Sequence, residues 1–170
     1  VTNDINLRSS GGIILSTSCT TDCNNIQGVN TKNLKVQSDA SVTVAKSIVA
    51  TDSINIESEG LIINDSITSK QFTLNALNGK LVLTESGNLL GQEGTGIELT
   101  ANSIEQRSKI ISGGNLKINT TGDLIMTDAA VIESVNGDVA LSGNNLQLAT
   151  LNAAKGSTTI AAQNSITANK

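Results

Sequence analysis

The sequence has almost no aromatic residues: it contains one Phe and neither Tyr nor Trp. A compact globular domain usually fills its centre with aromatic side chains. Hydrophobic residues still make up 38% of the 170 residues, enough to bury a core of Ile, Leu, Val and Ala. The composition therefore predicts one domain with a narrow core of regular cross-section.

His and Pro are absent as well, and there is a single Met. Without His the chain lacks the usual general base and the commonest metal ligand. Charged residues make up only 15% of the chain, and the net charge is −4. This balance argues against a nucleic-acid partner, which requires a basic face and usually stacking aromatics. No apolar run approaches the length of a membrane span, and no stretch has the pattern of a signal peptide. We expect no cofactor and no bound metal.

Apolar positions recur with a period of about 20 residues along the whole chain. A first series of apolar-x-apolar triplets begins at Ile5, Leu34, Ile54, Phe72, Ile97, Leu116, Val139 and Thr158. A second series begins at Ile13, Val42, Leu61, Leu81, Ile104, Leu124, Leu146 and Ile166. Single or paired apolar residues form a third series at Ile26, Ile48, Ile67, Leu89, Ile110, Val131 and Leu151. The alternation within each triplet is typical of a β-strand, not of a helix.

Turn residues separate these positions, including pairs such as Asn78-Gly79 and Gly114-Asn115. A hairpin meander would not return to the same three positions in every repeat, whereas a coil that stacks on itself does. The pattern predicts an all-β fold, a right-handed single-stranded parallel β-helix with three sheets and about eight coils of ~20 residues. At about 4.8 Å per coil the rod would be about 38 Å long. An antiparallel sandwich is the alternative.

Residues 114–129 and 136–149 each carry a Gly-(Asn/Asp)-apolar-x-apolar unit, and residues 163–168 have the related sequence Gln-Asn-Ser-Ile-Thr-Ala. They resemble the repeats of filamentous haemagglutinins, in which such units recur about every twenty residues and aromatic residues and Cys are rare. The resemblance extends over nearly the whole chain, although the repeats are degenerate.

The resemblance implies a segment of a large exoprotein that Gram-negative bacteria export by two-partner secretion through an outer-membrane transporter. Such proteins are secreted or lie on the cell surface, where they act as adhesins or as stalks of contact-dependent growth-inhibition toxins. The family's secretion domain carries motifs such as Asn-Pro-Asn-Leu, so this Pro-free chain is expected to be an internal β-helix segment spanning residues 1–170. We expect a non-enzymatic stalk that presents binding or toxin domains. The alternatives are a module that binds a host or target-cell receptor or glycan, and a β-helix enzyme acting on polysaccharides.

The first coil contains an insertion at residues 16–25, and this insertion holds the only two cysteines, Cys19 and Cys23. In an extracellular protein these cysteines are expected to form a local disulfide that rigidifies the loop. Free thiols and a metal site are the alternatives, although two Cys without His are a poor ligand set. A smaller bulge is expected at residues 91–96.

The outward positions of the second series are unusually apolar for a secreted rod. The aliphatic ones are Ile14, Ile62, Val82 and Ile125. They form a possible partner surface. The alternatives are that β-branched residues were selected there for strand propensity, or that a flanking segment or loop covers them.

Carboxylates occur in local groups, such as Glu57 with Glu59, but they form no ladder from coil to coil. Arg8 and Arg107 are the only arginines, and they are far apart in the repeat pattern. A polysaccharide-active enzyme needs clustered carboxylates in a cleft. The sequence therefore offers no catalytic residues.

Overall fold

A computed structural model describes residues 4–15, 29–93 and 96–169 of the chain. Within these ranges the protein is all-β, without any helix. The strands are β1 (Ile5–Ser9), β2 (Ile13–Leu15), β3 (Val29–Ser38), β4 (Val42–Val44), β5 (Ile48–Ser58), β6 (Leu61–Ile63), β7 (Ile67–Ser69), β8 (Gln71–Leu83), β9 (Leu89–Glu93), β10 (Ile97–Gln106), β11 (Lys109–Gly113), β12 (Leu116–Thr120), β13 (Leu124–Met126), β14 (Val131–Ser134), β15 (Val139–Leu148), β16 (Thr150–Ala153) and β17 (Thr158–Ala168). The recorded strand pairs are all parallel and join positions one coil apart, so the chain winds as a β-solenoid of about seven turns. The antiparallel alternative is therefore wrong.

The first two apolar series align as the sequence predicts. Each member of the first series pairs with the next one, from Ile5 with Leu34 to Val139 with Thr158. The second series pairs in the same way, from Ile13 with Val42 to Leu146 with Ile166. We call the wall built by the first series the first face, and the walls built by the other two series the second and third faces.

The third series needs two corrections. Ile110 pairs with Ile132, not with Val131, and Ile132 is the buried residue of the two. In the first coil Val29 is the residue that pairs with Ile48, so the third-face position there is Val29 and not Ile26. Ile26 itself lies outside the described residues. Both errors arise because this series has no triplet whose alternation could fix the register.

Several long strands turn the corner between two faces without a break in strand assignment. β8, β10, β15 and β17 run from the first face into the second, and β3 and β5 run from the third face into the first. The ladder changes register at these corners, for example between Ala101 and Ser103 of β10. The three faces are therefore parts of one continuous sheet wrapped around the core, rather than three separate sheets.

The core is a single column of aliphatic side chains with one aromatic in its middle. Phe72 is 1% exposed and stacks between Ile54 and Ile97, one coil below and one above. Small residues occupy the buried positions at the end of the first face, including Ser38, Ala76 and Ala101. Small side chains let the chain turn tightly there, which keeps the cross-section narrow and explains why one Phe suffices.

Buried hydroxyl groups near this corner are satisfied locally. Ser58 Oγ donates to the carbonyl oxygen of Gly60 at 2.9 Å, and Thr120 Oγ1 donates to that of Gly122, also at 2.9 Å. A buried polar group without a partner is costly, so these bonds make Ser and Thr acceptable in an otherwise apolar column.

The corner between the second and third faces varies in length, and Gln106 accommodates the variation. Three residues separate Gln106 from Ile110 in the fifth coil, whereas five separate Met126 from Ile132 in the sixth. Gln106 is fully buried, and its Nε2 donates to the carbonyl oxygens of Ser108 (3.0 Å) and Val131 (2.9 Å). The amide thus links a short corner to the longer corner stacked on it.

Candidate functional site

The outer columns of the three faces differ in polarity. On the first face the first outward column is mostly polar: Asn6, Lys35, Asn55, Thr73, Glu98, Lys117, Ala140 and Thr159. Lys117 Nζ lies 3.1 Å from Glu98 Oε1 on the adjacent coil. Both side chains are about half exposed, so the pair contributes little stability.

The second face carries the predicted apolar residues in one outward column. Ile14 is 71% exposed, Ile125 40% and Ile62 37%, while Val82 is partly buried. Ile62 and Val82 are paired neighbours, but Thr43 separates Ile14 from Ile62. Glu105 lies between Val82 and Ile125, so a charged residue interrupts the apolar column.

Glu105 is held by two cations. Lys80 Nζ donates to its Oε2, and Arg107 donates to its Oε1 through Nε (2.6 Å) and Nη2. The side chain of Glu105 is only 18% exposed. The hydrogen bonds from Lys80 and then Arg107 lower the pKa of Glu105 and outweigh desolvation, which would raise it.

The Glu105 cluster predicts a pH-dependent contribution to stability. Because its pKa is lowered in the folded state, the carboxylate stabilises the rod above the ordinary pKa of Glu, and this contribution is lost as the pH falls through the lowered pKa. Glu105→Gln should therefore destabilise the protein by about 1 kcal/mol at pH 7. The difference from the native protein should disappear in acid, as measured by urea unfolding monitored by circular dichroism. An effect of equal size at pH 7 and at pH 2 would contradict the prediction.

The third face also has an apolar outward column, which the sequence analysis missed. Val49, Thr68, Leu90 and Ile111 follow one another on successive coils, so three of these four positions are aliphatic. Val49 is 39% exposed, and the other three are partly buried. These residues stand next to the third-series positions in the sequence. Because that series has single or paired apolar residues and no alternating triplet, the sequence did not show which residue of each pair points outward.

A polar groove lies on the first face where it meets the second, and we call it the corner groove. Its volume is about 370 Å³, and its lining residues are Arg8, Gln37, Ser38, Asp39, Glu57, Glu59, Leu77 and Asn78. The sequence analysis grouped Glu57 with Glu59 but did not connect them with Arg8. Arg8 belongs to the first coil and both glutamates to the third, and only the register of the solenoid brings them to one place.

The described residues contain no group of three or more Asp, Glu or Cys side chains that could hold a metal ion. The carboxylates of the corner groove are thus not arranged as a metal site. Cys19 and Cys23 lie outside the described residues, so their disulfide remains a prediction. The whole of the predicted insertion at 16–25 and residues 94–95 of the bulge at 91–96 also lie outside them.

In the part of the chain that the structure describes, no helix is long and apolar enough to cross a membrane. No family model, curated protein or solved structure matches the chain.

Proposed function

We propose that the chain is a non-enzymatic stalk segment of a secreted bacterial surface exoprotein, where it holds a binding or toxin domain away from the cell. The observation that carries the proposal is the uninterrupted ladder on the first face, from Ile5 to Thr158. Strand pairing and stacked side chains join each coil of this face to the next. The first face therefore contains no flexible segment at which the rod could bend. Secretion and the attached domain are inferred from the resemblance of the repeats to filamentous haemagglutinins.

Ion pairs between coils support the same reading. At the corner between the third and first faces Asp52 lies 3.8 Å from Lys32 and 3.5 Å from Lys70, residues that belong to flanking coils. All three side chains are about half exposed, so each pair is individually weak. Along a rod such pairs add resistance to bending without occupying a cleft, as expected of a structural segment.

A stalk should tolerate the removal of one whole coil. Deleting residues 97–115 from the full-length exoprotein joins Gly96 to Leu116, which then takes the place of Ile97 on Phe72. We expect a folded protein, shorter by about 4.8 Å, that keeps its surface exposure and the activity of the attached domain. Surface exposure is measured by antibody labelling of intact cells.

The matched control is the deletion of residues 107–115, which removes only the third face of that coil and leaves the register broken. This variant should fail to fold cooperatively. If the whole-coil deletion folds but abolishes activity, the segment is itself the active module. If the native chain is found in the cytosol, the surface assignment fails.

A receptor-binding role for the second face is the second candidate, and the exposure of Ile62 and Ile125 favours it. Changing both residues to Thr removes apolar area while keeping strand propensity. We expect weaker binding to cells, or less self-association, at unchanged thermal stability. If both properties are unchanged, the apolar column reflects strand propensity and the segment is a plain stalk.

A further inference from the structure

The sequence contains two Asn-Gly pairs, Asn78-Gly79 and Asn136-Gly137. In such a pair the backbone N of the glycine can attack the side-chain carbonyl carbon of the asparagine, because glycine has no side chain to hinder the approach. The attack requires an asparagine side chain that can rotate and a glycine N–H that can leave its hydrogen bond. Both asparagines are exposed, so accessibility to water does not distinguish the two pairs. The backbone around each pair does.

The Asn136-Gly137 pair is held by hydrogen bonds within its turn. The backbone N of Gly137 donates to Ser134 Oγ at 3.0 Å, and Ser134 is fully buried. Lys155 Nζ donates to Asn136 Oδ1 at 2.8 Å and fixes that side chain against the next coil. An attack by the Gly137 nitrogen would have to break its bond to Ser134 and turn the Asn136 side chain away from Lys155.

The Asn78-Gly79 pair lies in the longest corner between the first and second faces of the central coils. Four residues lie between Ala76 and Leu81, whereas two lie at the corresponding corner of each flanking coil. We call residues 77–80 the extended corner. In the recorded pairing, residues 77–79 have no ladder partner on either flanking coil, as is typical of the additional residues of a bulge.

The side chain of Asn78 is also free of the contacts that hold Asn136. Within the described ranges, no hydrogen bond or ion pair engages it. Its neighbour Leu77 is 55% exposed, so the core does not anchor this part of the corner through that side chain. Asn78 is therefore the asparagine of the two whose side chain can turn toward the nitrogen of the following glycine.

We propose that Asn78 is a site of spontaneous deamidation in the folded rod and that Asn136 is protected from this reaction. The nitrogen of Gly79 loses its proton to solvent and bonds to Cγ of Asn78, and the side-chain nitrogen leaves as ammonia. Water then opens the resulting succinimide. Cleavage of the new N–Cγ bond gives aspartate, and cleavage of the original peptide bond gives isoaspartate.

The modification would alter the charge of the corner groove. Asn78 lines this groove together with Asp39, Glu57 and Glu59, and Arg8 is the one cation of the lining. A new carboxylate is repelled by the other three, and the net charge of the chain becomes one unit more negative than −4. The additional methylene of an isoaspartate backbone falls in residues outside the ladder, so the coils need not separate. The inference goes beyond the stalk proposal and does not depend on it, since the reaction requires only the local backbone and water.

The test follows both pairs in the same sample. The native chain is kept for several days in mildly alkaline buffer, with and without guanidinium chloride, and is then digested with trypsin for mass spectrometry. Residues 71–80 and residues 118–155 form separate peptides, which carry Asn78 and Asn136. In the folded chain Asn78 should convert at least about tenfold faster than Asn136, a difference of ~1.4 kcal/mol in activation free energy. In the unfolded chain the two rates should agree within about twofold.

Two variants identify the reacting residue and the protecting bond. Asn78→Gln should abolish conversion in the peptide 71–80, which also contains Asn75. Ser134→Ala removes the acceptor of the Gly137 N–H and should speed conversion of Asn136. Its matched control is Ser108→Ala, which removes another buried hydroxyl, bonded to the carbonyl oxygen of Gly87 (2.9 Å), and should leave both rates unchanged.

Circular dichroism melting confirms that each variant is folded, and the comparison of folded with unfolded native chain stands even if Ser134→Ala does not fold. The proposal is overturned if Asn78 does not convert in the folded chain, or converts no faster than Asn136. It is also overturned if guanidinium chloride leaves the ratio of the two rates unchanged, because the preference would then come from the local sequence. A folded Ser134→Ala protein with an unchanged Asn136 rate would overturn the protection assigned to that bond.

Discussion

Replacing Ile97 with Asp should abolish cooperative folding of the rod. Ile97 is 2% exposed and stacks between Phe72 and Leu116 in the central coils. Burying an unpaired charge costs several kcal/mol, a large part of the ~5–15 kcal/mol that stabilises a typical domain. The measurement is the unfolding transition in urea followed by circular dichroism, where the native chain should show one transition and the variant none.

Thr100→Asp is the matched control for Ile97→Asp. Thr100 lies in the same strand but is exposed, so an added carboxylate there stays in water. Its unfolding midpoint should stay close to that of the native chain. A folded, cooperative Ile97→Asp protein would show that the first series does not form the core.

Gly87→Ala should be strongly destabilising although it adds one methyl group. A Cβ at Gly87 would lie 2.0 Å from the carbonyl oxygen of Ile63 on the coil below. Thr84 donates two hydrogen bonds to that oxygen, one from its backbone N–H (N···O 3.0 Å) and one from its Oγ1 (3.1 Å). Relieving the clash moves backbone and breaks these bonds, so we expect a loss of roughly 3 kcal/mol or more in the free energy of unfolding.

Gly11→Ala provides the comparison for this prediction. At Gly11 the nearest atom to an added Cβ is Ser9 Oγ at 3.9 Å, an ordinary contact. The change should be nearly neutral, or slightly stabilising through the unfolded state. Equal losses for the two variants would indicate a general intolerance of Ala at turn glycines, instead of the specific contact with Ile63.

The sequence predicted the first two faces residue by residue because their triplets alternate. In Leu124-Ile125-Met126, for instance, only one register puts two apolar residues inward, and the structure has that register. The pair Val131-Ile132 offers no such alternation, and a corner of five residues placed the second member in the core. Turn lengths depend on how neighbouring coils fit together, and the local sequence does not specify this.

The corner groove was harder to predict for a different reason. Arg8, Gln37 and Glu57 are separated by 29 and 20 residues, and they become neighbours only through the register of the ladder. Each of them alone resembles a solvated surface residue. The corner between Ala76 and Leu81 has four residues, two more than the corner stacked on it between Ala101 and Ile104. The sequence did not indicate this difference in length, because Asn78-Gly79 resembles the other turn pairs of the chain.

The pairing of every coil with its immediate neighbours also has a kinetic consequence. Partners such as Leu34 with Ile54, or Ile97 with Leu116, are 20 and 19 residues apart along the chain. Such separations correspond to a relative contact order of about 0.12, close to that of helical and mixed domains and below that of β-sandwiches. Each newly formed coil completes a template for the next, so we expect folding to begin at one well-packed turn and then to spread along the axis. The barrier should lie in forming that first turn, and lengthening the rod should hardly change the height of the barrier.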